Sequence, residues 1–317
     1  MKKIKLERAN LEVSNMCLGT MMFGTQTSEK ESFDQLNLFT EMGGNFLDTS
    51  NNYAHWWKDA SGDESETLLG RWLAEKKNRH DLVIATKVGF DRHGEGAGLK
   101  ASQIEYWCDE SLRKLGTDYI DLYYAHVDDM DTDVGEYMEA FNRLIKKGKV
   151  RALGMSNCYT WRMCEAKHYC KEHSLVDFTV NQACYTYLDT KNGYPNPYPL
   201  NLNAGDERLA YLAANNIPLV AYSCLAGGAY EIPDKCPKKY IKGEKLELIR
   251  STAEKIGLSP SELVLAWLIS SDRIKGRPQI IPLFSTSRAD HLKKSLEMSD
   301  YELDFDIMKM LTDAKFF

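Results

Sequence analysis

Asp48, Tyr53, Lys87 and His126 are the residues of this chain whose types and order could do chemistry together. Asp48 closes the apolar run Phe46-Leu47-Asp48, and Tyr53 follows shortly after it. Lys87 closes Ile84-Ala85-Thr86-Lys87, and His126 follows Leu122-Tyr123-Tyr124-Ala125. Alone, each has an ordinary explanation: an Asp caps a turn, a Tyr packs, a Lys is solvated, a His makes a structural hydrogen bond. Together they form a proton-transfer set. A phenol can hand a proton to a substrate oxygen. A neighbouring ammonium favours phenolate and so lowers the tyrosine pKa. A carboxylate keeps that ammonium charged and oriented, and an imidazole can polarise the receiving oxygen.

Such a set works only if the chain brings it to one place. Short apolar runs at 16–19, 45–48, 82–86, 119–124, 152–155, 178–181, 218–222 and 279–282 read as strands. Between them lie stretches with helical spacing at 64–75, 102–115 and 134–145. The first carries Leu68, Leu69, Trp72 and Leu73 on one face; the second carries Ile104, Trp107, Leu112 and Leu115; the third carries Met138, Phe141, Leu144 and Ile145. Alternating strands and helices predict an α/β fold, a closed parallel (β/α)8 TIM barrel forming one domain over 1–317, with an open doubly wound sheet as the alternative. The strand ends of a barrel converge on one mouth, where the polar set would meet. Ile4-Lys5-Leu6 and Leu11-Glu12-Val13 around Ala9-Asn10 predict an N-terminal β-hairpin plug. Two long loops, 52–62 with His55-Trp56-Trp57 and 189–205 with Tyr194 and Tyr198, follow strands and so belong to the mouth.

Composition excludes several other classes. The 317 residues carry a formal net charge of -6 with both signs interspersed, which argues against a nucleic-acid surface. Eight cysteines form no C-x-x-C pair and no zinc spacing, so no metal site is expected; reduced thiols of a cytoplasmic protein are. No apolar stretch follows Met1-Lys2-Lys3, so no signal peptide is expected, and no run of about 18 apolar residues predicts a membrane span.

Gly19-Thr20-Met21, Asp48-Thr49-Ser50-Asn51-Asn52-Tyr53, Ala85-Thr86-Lys87 and Leu122-Tyr123-Tyr124-Ala125-His126 resemble the tetrad motifs of the aldo-keto reductases. Gly154-Met155-Ser156-Asn157, Asn181-Gln182 and Ala221-Tyr222-Ser223 are similar to further motifs of that family, and the resemblance runs in order over nearly the whole chain. It implies an NAD(P)H-dependent carbonyl reductase or alcohol dehydrogenase acting on a small aldehyde or ketone. Catalysis would rest on Asp48, Tyr53, Lys87 and His126, with Tyr53 as general acid.

No G-x-G-x-x-G fingerprint is present; Gly94-Glu95-Gly96-Ala97-Gly98 reads as a flexible loop. The resemblance implies instead a nicotinamide cofactor extended across the barrel mouth. Gly19, Thr20, Met21 and Asp48 would touch it, Ser156, Asn157 and Gln182 would hold its carboxamide, and Tyr222 would stack on its ring. Ser223, Leu225 and Gly227 would follow the pyrophosphate. Ser285, Thr286, Ser287 and Arg288 precede a stretch of helical spacing and form an anion site with an Arg able to pair a 2′-phosphate; this favours NADPH over NADH. His291 and Ser295 would meet the adenosine. At Ser285 the family often has Gly, and at His291, Lys294 and Ser295 it often has Gln, Glu and Asn. A phosphate-contacting Lys is missing after Gly227-Gly228, leaving Lys235, Lys238 and Lys239 as candidates to replace it.

Met22, Phe23, Trp56, Trp57, Phe90 and the Tyr194 and Tyr198 loop, with His126, predict an aromatic-walled substrate pocket suited to sugar faces or flat rings. Two other readings remain at this stage. One is a cofactor-binding regulatory subunit of the same fold. The other is an aldolase forming a Schiff base on Lys87, which Asp48 opposes by keeping that lysine protonated.

Overall fold

The computed structural model describes all residues except 93, 95, 192–193, 195–202, 287–288 and 315–317, and at 289–290 the backbone alone. The chain opens with a hairpin in which β1 (Lys3–Leu6) and β2 (Leu11–Ser14) pair antiparallel. Among the described residues eight parallel strands follow: β3 (Cys17–Gly19), β4 (Phe46–Asp48), β5 (Val83–Val88), β6 (Ile120–Ala125), β7 (Val150–Ser156), β8 (Val180–Cys184), β9 (Leu219–Tyr222) and β10 (Ile280–Phe284). Each pairs with the next, and β10 returns to β3, closing a (β/α)8 barrel. Around it lie α1 (Glu29–Glu41), α2 (Glu64–Lys76), α3 (Ala101–Leu115), α4 (Val134–Lys146), α5 (Thr160–Glu172), α6 (Asp206–Ala214), α7 (Glu244–Ile256), α8 (Pro260–Ile269), α9 (Ala289–Glu297) and α10 (Phe305–Asp313).

Strand alternation divides the core in two. Phe46, Val83, Ala85, Leu122, Tyr124, Val180, Val220 and Ile281 fill the barrel interior. Leu47, Ile84, Val88, Tyr123 and Leu153 face outward and pack with helix residues such as Leu68, Trp72, Ile104 and Phe141. The same period of two turns Asp48, Lys87 and Gln182 inward. Leu6, Leu11 and Val13 of the hairpin join the interior cluster. The Ser14 amide donates to Asn45 Oδ1 just ahead of β4, so the hairpin plugs the end where the strands begin.

Several strand limits differ from those predicted. β5 continues through Lys87 to Val88, pairing Lys87 with Tyr124 and Val88 with Ala125. Lys87 therefore sits within the strand rather than at its end; a lysine reads as a strand stop, but a buried carboxylate partner lets pairing continue past it. β8 runs to Cys184 for a related reason: Gln182 interrupts the apolar pattern, yet its backbone pairs with Val220. Among the described residues, no helix is long and apolar enough to cross a membrane.

Gly154 shows how tightly the interior is filled. A Cβ there would lie 2.3 Å from Tyr124 Cε1, so glycine is what lets this ring cross under the mouth. Gly154→Ala is expected to destabilise the protein by about 1–3 kcal/mol through overpacking. Denaturant unfolding checks this, with an unchanged midpoint as the contrary result.

Candidate active site

The site is built on the mouth-side portions of β4, β5 and β8 and on the loops after β4 and β6. Asp48 ends β4 and is fully buried. Its Oδ1 accepts from Lys87 Nζ at 2.5 Å and from Tyr53 OH at 2.6 Å, and its Oδ2 accepts from Gln182 Nε2 at 2.8 Å. Lys87 Nζ donates further to Thr49 O at 2.7 Å and to Tyr53 OH at 2.5 Å. The phenol thus gives its proton to the carboxylate while accepting one from the ammonium. His126 follows β6 and is fixed by its backbone amide on Val88 O at 2.7 Å. Its carbonyl accepts from Asn157 Nδ2 at 2.9 Å, and its ring meets Phe90 edge-on at 4.6 Å.

Two loops are locked together beside this set. Arg92, after β5, donates Nε to Ser61 O at 3.0 Å and Nη1 to Asn51 O at 3.3 Å, and pairs with Asp63 at 2.7 Å. It thereby clamps the loop that carries Tyr53, His55 and Trp56. Lys114 of α3 pairs with the same Asp63 and with buried Glu66, whose carboxylate accepts from Thr86 Oγ1 at 2.6 Å. Sequence reading missed this network because its members lie on four separate segments.

Burial dominates the electrostatics. The Tyr53 pKa stands well above its ordinary value, through burial first and the Asp48 charge second. This corrects the expectation that Lys87 would lower it: loss of water and the Asp48 charge set the direction. The Lys87 pKa is lowered by burial, with Asp48 opposing. The His126 pKa falls well below the imidazole value, through burial and then the Lys87 charge.

Tyr53 and His126 open on a cavity of about 1620 Å³ that reaches from Gly19 and Phe90 to α9. It exceeds the roughly 300–1,000 Å³ of a usual small-molecule pocket and has room for two ligands. Of the expected cofactor residues, Gly19, Met21, Asn157, Gln182, Tyr222, Ser223, Leu225, Gly227, Ser285, Thr286, His291 and Ser295 line it. Thr20 lies behind the wall, its hydroxyl donating to Asp48 O at 2.9 Å. Ser287 and Arg288 lie outside the described residues. Lys235 lines the far end; Lys238 and Lys239 do not.

Of the expected substrate wall, Trp56, Phe90 and His126 line the cavity. Phe23 corrects the reading: it is 1 % exposed and belongs to the outer core. Met22, Trp57 and Tyr194 are also off the wall, and Tyr198 lies outside the described residues. Lys294 and His55, on segments expected at the site, line it too, and Asp91, Glu231, Ser259, Ser261 and Glu262 line the cavity without having been expected to. The Ser259-Pro260-Ser261-Glu262 capping box that starts α8 was the available signal for one group of these.

An extended dinucleotide fits the residues present. Ser156 Oγ, at the end of β7, is buried with no hydrogen-bond partner among the described residues. The loop after β9 holds Ser223 and Ala226 at φ 54° and 48°, followed by Gly227 and Gly228 at 66° and 88°. Left-handed non-glycine residues mark a backbone held for a purpose, and such turns aim N–H groups at anions. Asn157 is already engaged, accepting from Tyr222 OH at 2.7 Å.

The aldo/keto reductase family model matches residues 15–315. The chain belongs to this family. Its members are oxidoreductases of carbonyl and alcohol groups. Norsolorinic acid reductase B of Aspergillus parasiticus is 38% identical over 194 residues, which span 56% of this chain and 48% of that protein, about half its length. Aryl-alcohol dehydrogenase GME11368 of Pestalotiopsis microspora is 25% identical over 93% of this chain and 77% of its own. A solved thermostable aldo-keto reductase, Tm1743, in complex with the inhibitor epalrestat, shares the fold with a TM-score of 0.75 at 23% identity, over 98% of both chains.

The depressed His126 pKa has a consequence for stability. Below the ordinary imidazole range the unfolded chain takes up a proton that folded His126 refuses, so folding stability falls as pH falls. The loss amounts to at most about 1.4 kcal/mol per pH unit. His126→Asn is expected to lose less stability on acidification than the parent. Urea unfolding at stepped pH measures this, and parallel curves would contradict it.

Proposed function

We propose that this reductase is NAD(P)H-dependent and protonates its substrate oxygen from Tyr53. The observation that carries the reading is the buried Asp48–Lys87–Tyr53 hydrogen-bond set, with Tyr53 opening on the cavity beside His126. When bound, the reduced nicotinamide supplies a hydride to the carbonyl carbon. Tyr53 keeps its proton at neutral pH and gives it as negative charge gathers on the substrate oxygen. The phenol first turns that O–H from Asp48 Oδ1 to the substrate. Lys87, still donating to the same oxygen, stabilises the phenolate that remains. His126 hydrogen-bonds the substrate oxygen and orients it.

Ser156 would hold the carboxamide with Gln182, and the turns after β9 would follow the pyrophosphate. Lys235, Lys294 and His291 at the far end, with Arg288, would favour a 2′-phosphate and hence NADPH. The walls offered by Trp56 and Phe90 suit a flat, ring-bearing carbonyl substrate. The aryl-alcohol dehydrogenase relative supports that choice. The aldolase alternative has little support: Lys87 is fully buried, off the cavity wall, and donates to three oxygens.

NADPH oxidation against a panel of aromatic and aliphatic aldehydes and ketones tests the reading. Tyr53→Phe is expected to bind NADPH with unchanged affinity by fluorescence titration and to lose nearly all turnover; full turnover would remove Tyr53 as the acid. Arg288→Ala is expected to weaken NADPH about tenfold or more, the scale of a charged hydrogen bond, with little effect on NADH. Equal losses would remove the 2′-phosphate assignment.

A further inference from the structure

His126 can help a carbonyl only if the nitrogen facing it carries a proton. Burial and the Lys87 charge keep the ring neutral, so it has a single N–H to place. Nδ1 lies 3.1 Å from Ser50 Oγ, while Nε2 has no partner among the described residues, on a residue of the cavity wall. The tautomer is therefore decided at Ser50.

Ser50 also has one proton to give. Its Oγ lies 2.8 Å from Asn52 Oδ1 with the amide in its present orientation, and 3.5 Å from Asn51 Oδ1, a longer and weaker acceptor than His126 Nδ1 at 3.1 Å. In that orientation the hydroxyl donates to Asn52, accepts from Nδ1–H, and leaves Nε2 without a proton. With the amide turned by half a rotation, Nδ2 takes the place of Oδ1. Asn52 then donates to Ser50, Ser50 donates to Nδ1, and Nε2 keeps the proton. Among the described residues no other side chain or backbone group engages the Asn52 amide, so nothing opposes that turn.

We propose that Ser50 and Asn52 are positioning residues that act as a relay, Asn52 to Ser50 to His126 Nδ1, and fix the Nε2–H tautomer that donates to the substrate oxygen. The proposal rests on the reductase reading for the nature of that oxygen: a carbonyl offers no proton of its own, so the donor must be the ring. The residues involved are short-range neighbours of the catalytic tyrosine on one loop, which the Arg92 clamp holds in place through Asn51 O.

Nitrogen-15 NMR of histidine-labelled, full-length protein without ligand tests this apart from turnover, because protonated and unprotonated ring nitrogens resonate far apart. The His126 signals are identified by their loss in His126→Gln. The parent is expected to show Nε2 protonated and Nδ1 bare. Asn52→Asp, which can only accept from Ser50, is expected to put a proton on Nδ1 and to lower kcat/KM for a carbonyl substrate about tenfold, with NADPH affinity unchanged. Ser50→Ala is expected to give a mixture of tautomers, and Ser50→Thr to restore the parent pattern. A protonated Nδ1 in the parent, or a pure Nε2–H form in Ser50→Ala, overturns the relay. Either result leaves the reductase reading standing, since that reading is judged by NADPH turnover and by Tyr53→Phe.

Discussion

The ion pair between Lys87 and Asp48, closed off from water inside the barrel, is the constraint on which the rest of the site depends. A buried pair is tolerable only when every remaining donor and acceptor is satisfied. Here the carboxylate takes hydrogen bonds from Lys87, Tyr53 and Gln182, and the ammonium reaches Asp48, Thr49 O and Tyr53. Three strands and one loop must be in register for this to hold. The pair is therefore a test of correct folding as well as a charge.

Burial and the same pair together set the titration behaviour of its neighbours. Tyr53 lies between a cation and an anion, and burial first, then the Asp48 charge, keeps the phenol protonated. His126 feels the cation and loses water, so the ring stays neutral. Both states suit groups that give hydrogen bonds to an oxygen. A phenol suited to giving up a proton need not be acidic at rest, since an ammonium beside it favours the anion left behind.

The fold was legible because alternating strands and amphipathic helices leave a strong periodic trace, and because Asp48, Tyr53, Lys87 and His126 fall at recurring places in that pattern. Strand limits were less legible where a polar residue has a buried partner, as at Lys87 and Gln182. Phe23 misled because an aromatic beside a motif looks the same in sequence whether it faces the cavity or the core. Arg92, Asp63, Lys114 and Glu66 could not be read as a set, since their spacing carries no period. Ser50 and Asn52 stood in plain view within a quoted motif, yet the contact of Ser50 with His126 and of Asn52 with Ser50 needs the turn of the loop to become visible.

The hairpin stops the strand-start end of this barrel. Leu6, Leu11 and Val13 fill the strand-start end, and the ion pair lies fully buried between them and the mouth. A molecule lying across the mouth therefore acts as a lid on a sealed vessel. Water it displaces from the mouth leaves a drier medium, through which the buried charges of Lys87 and Asp48 act more strongly on whatever is bound.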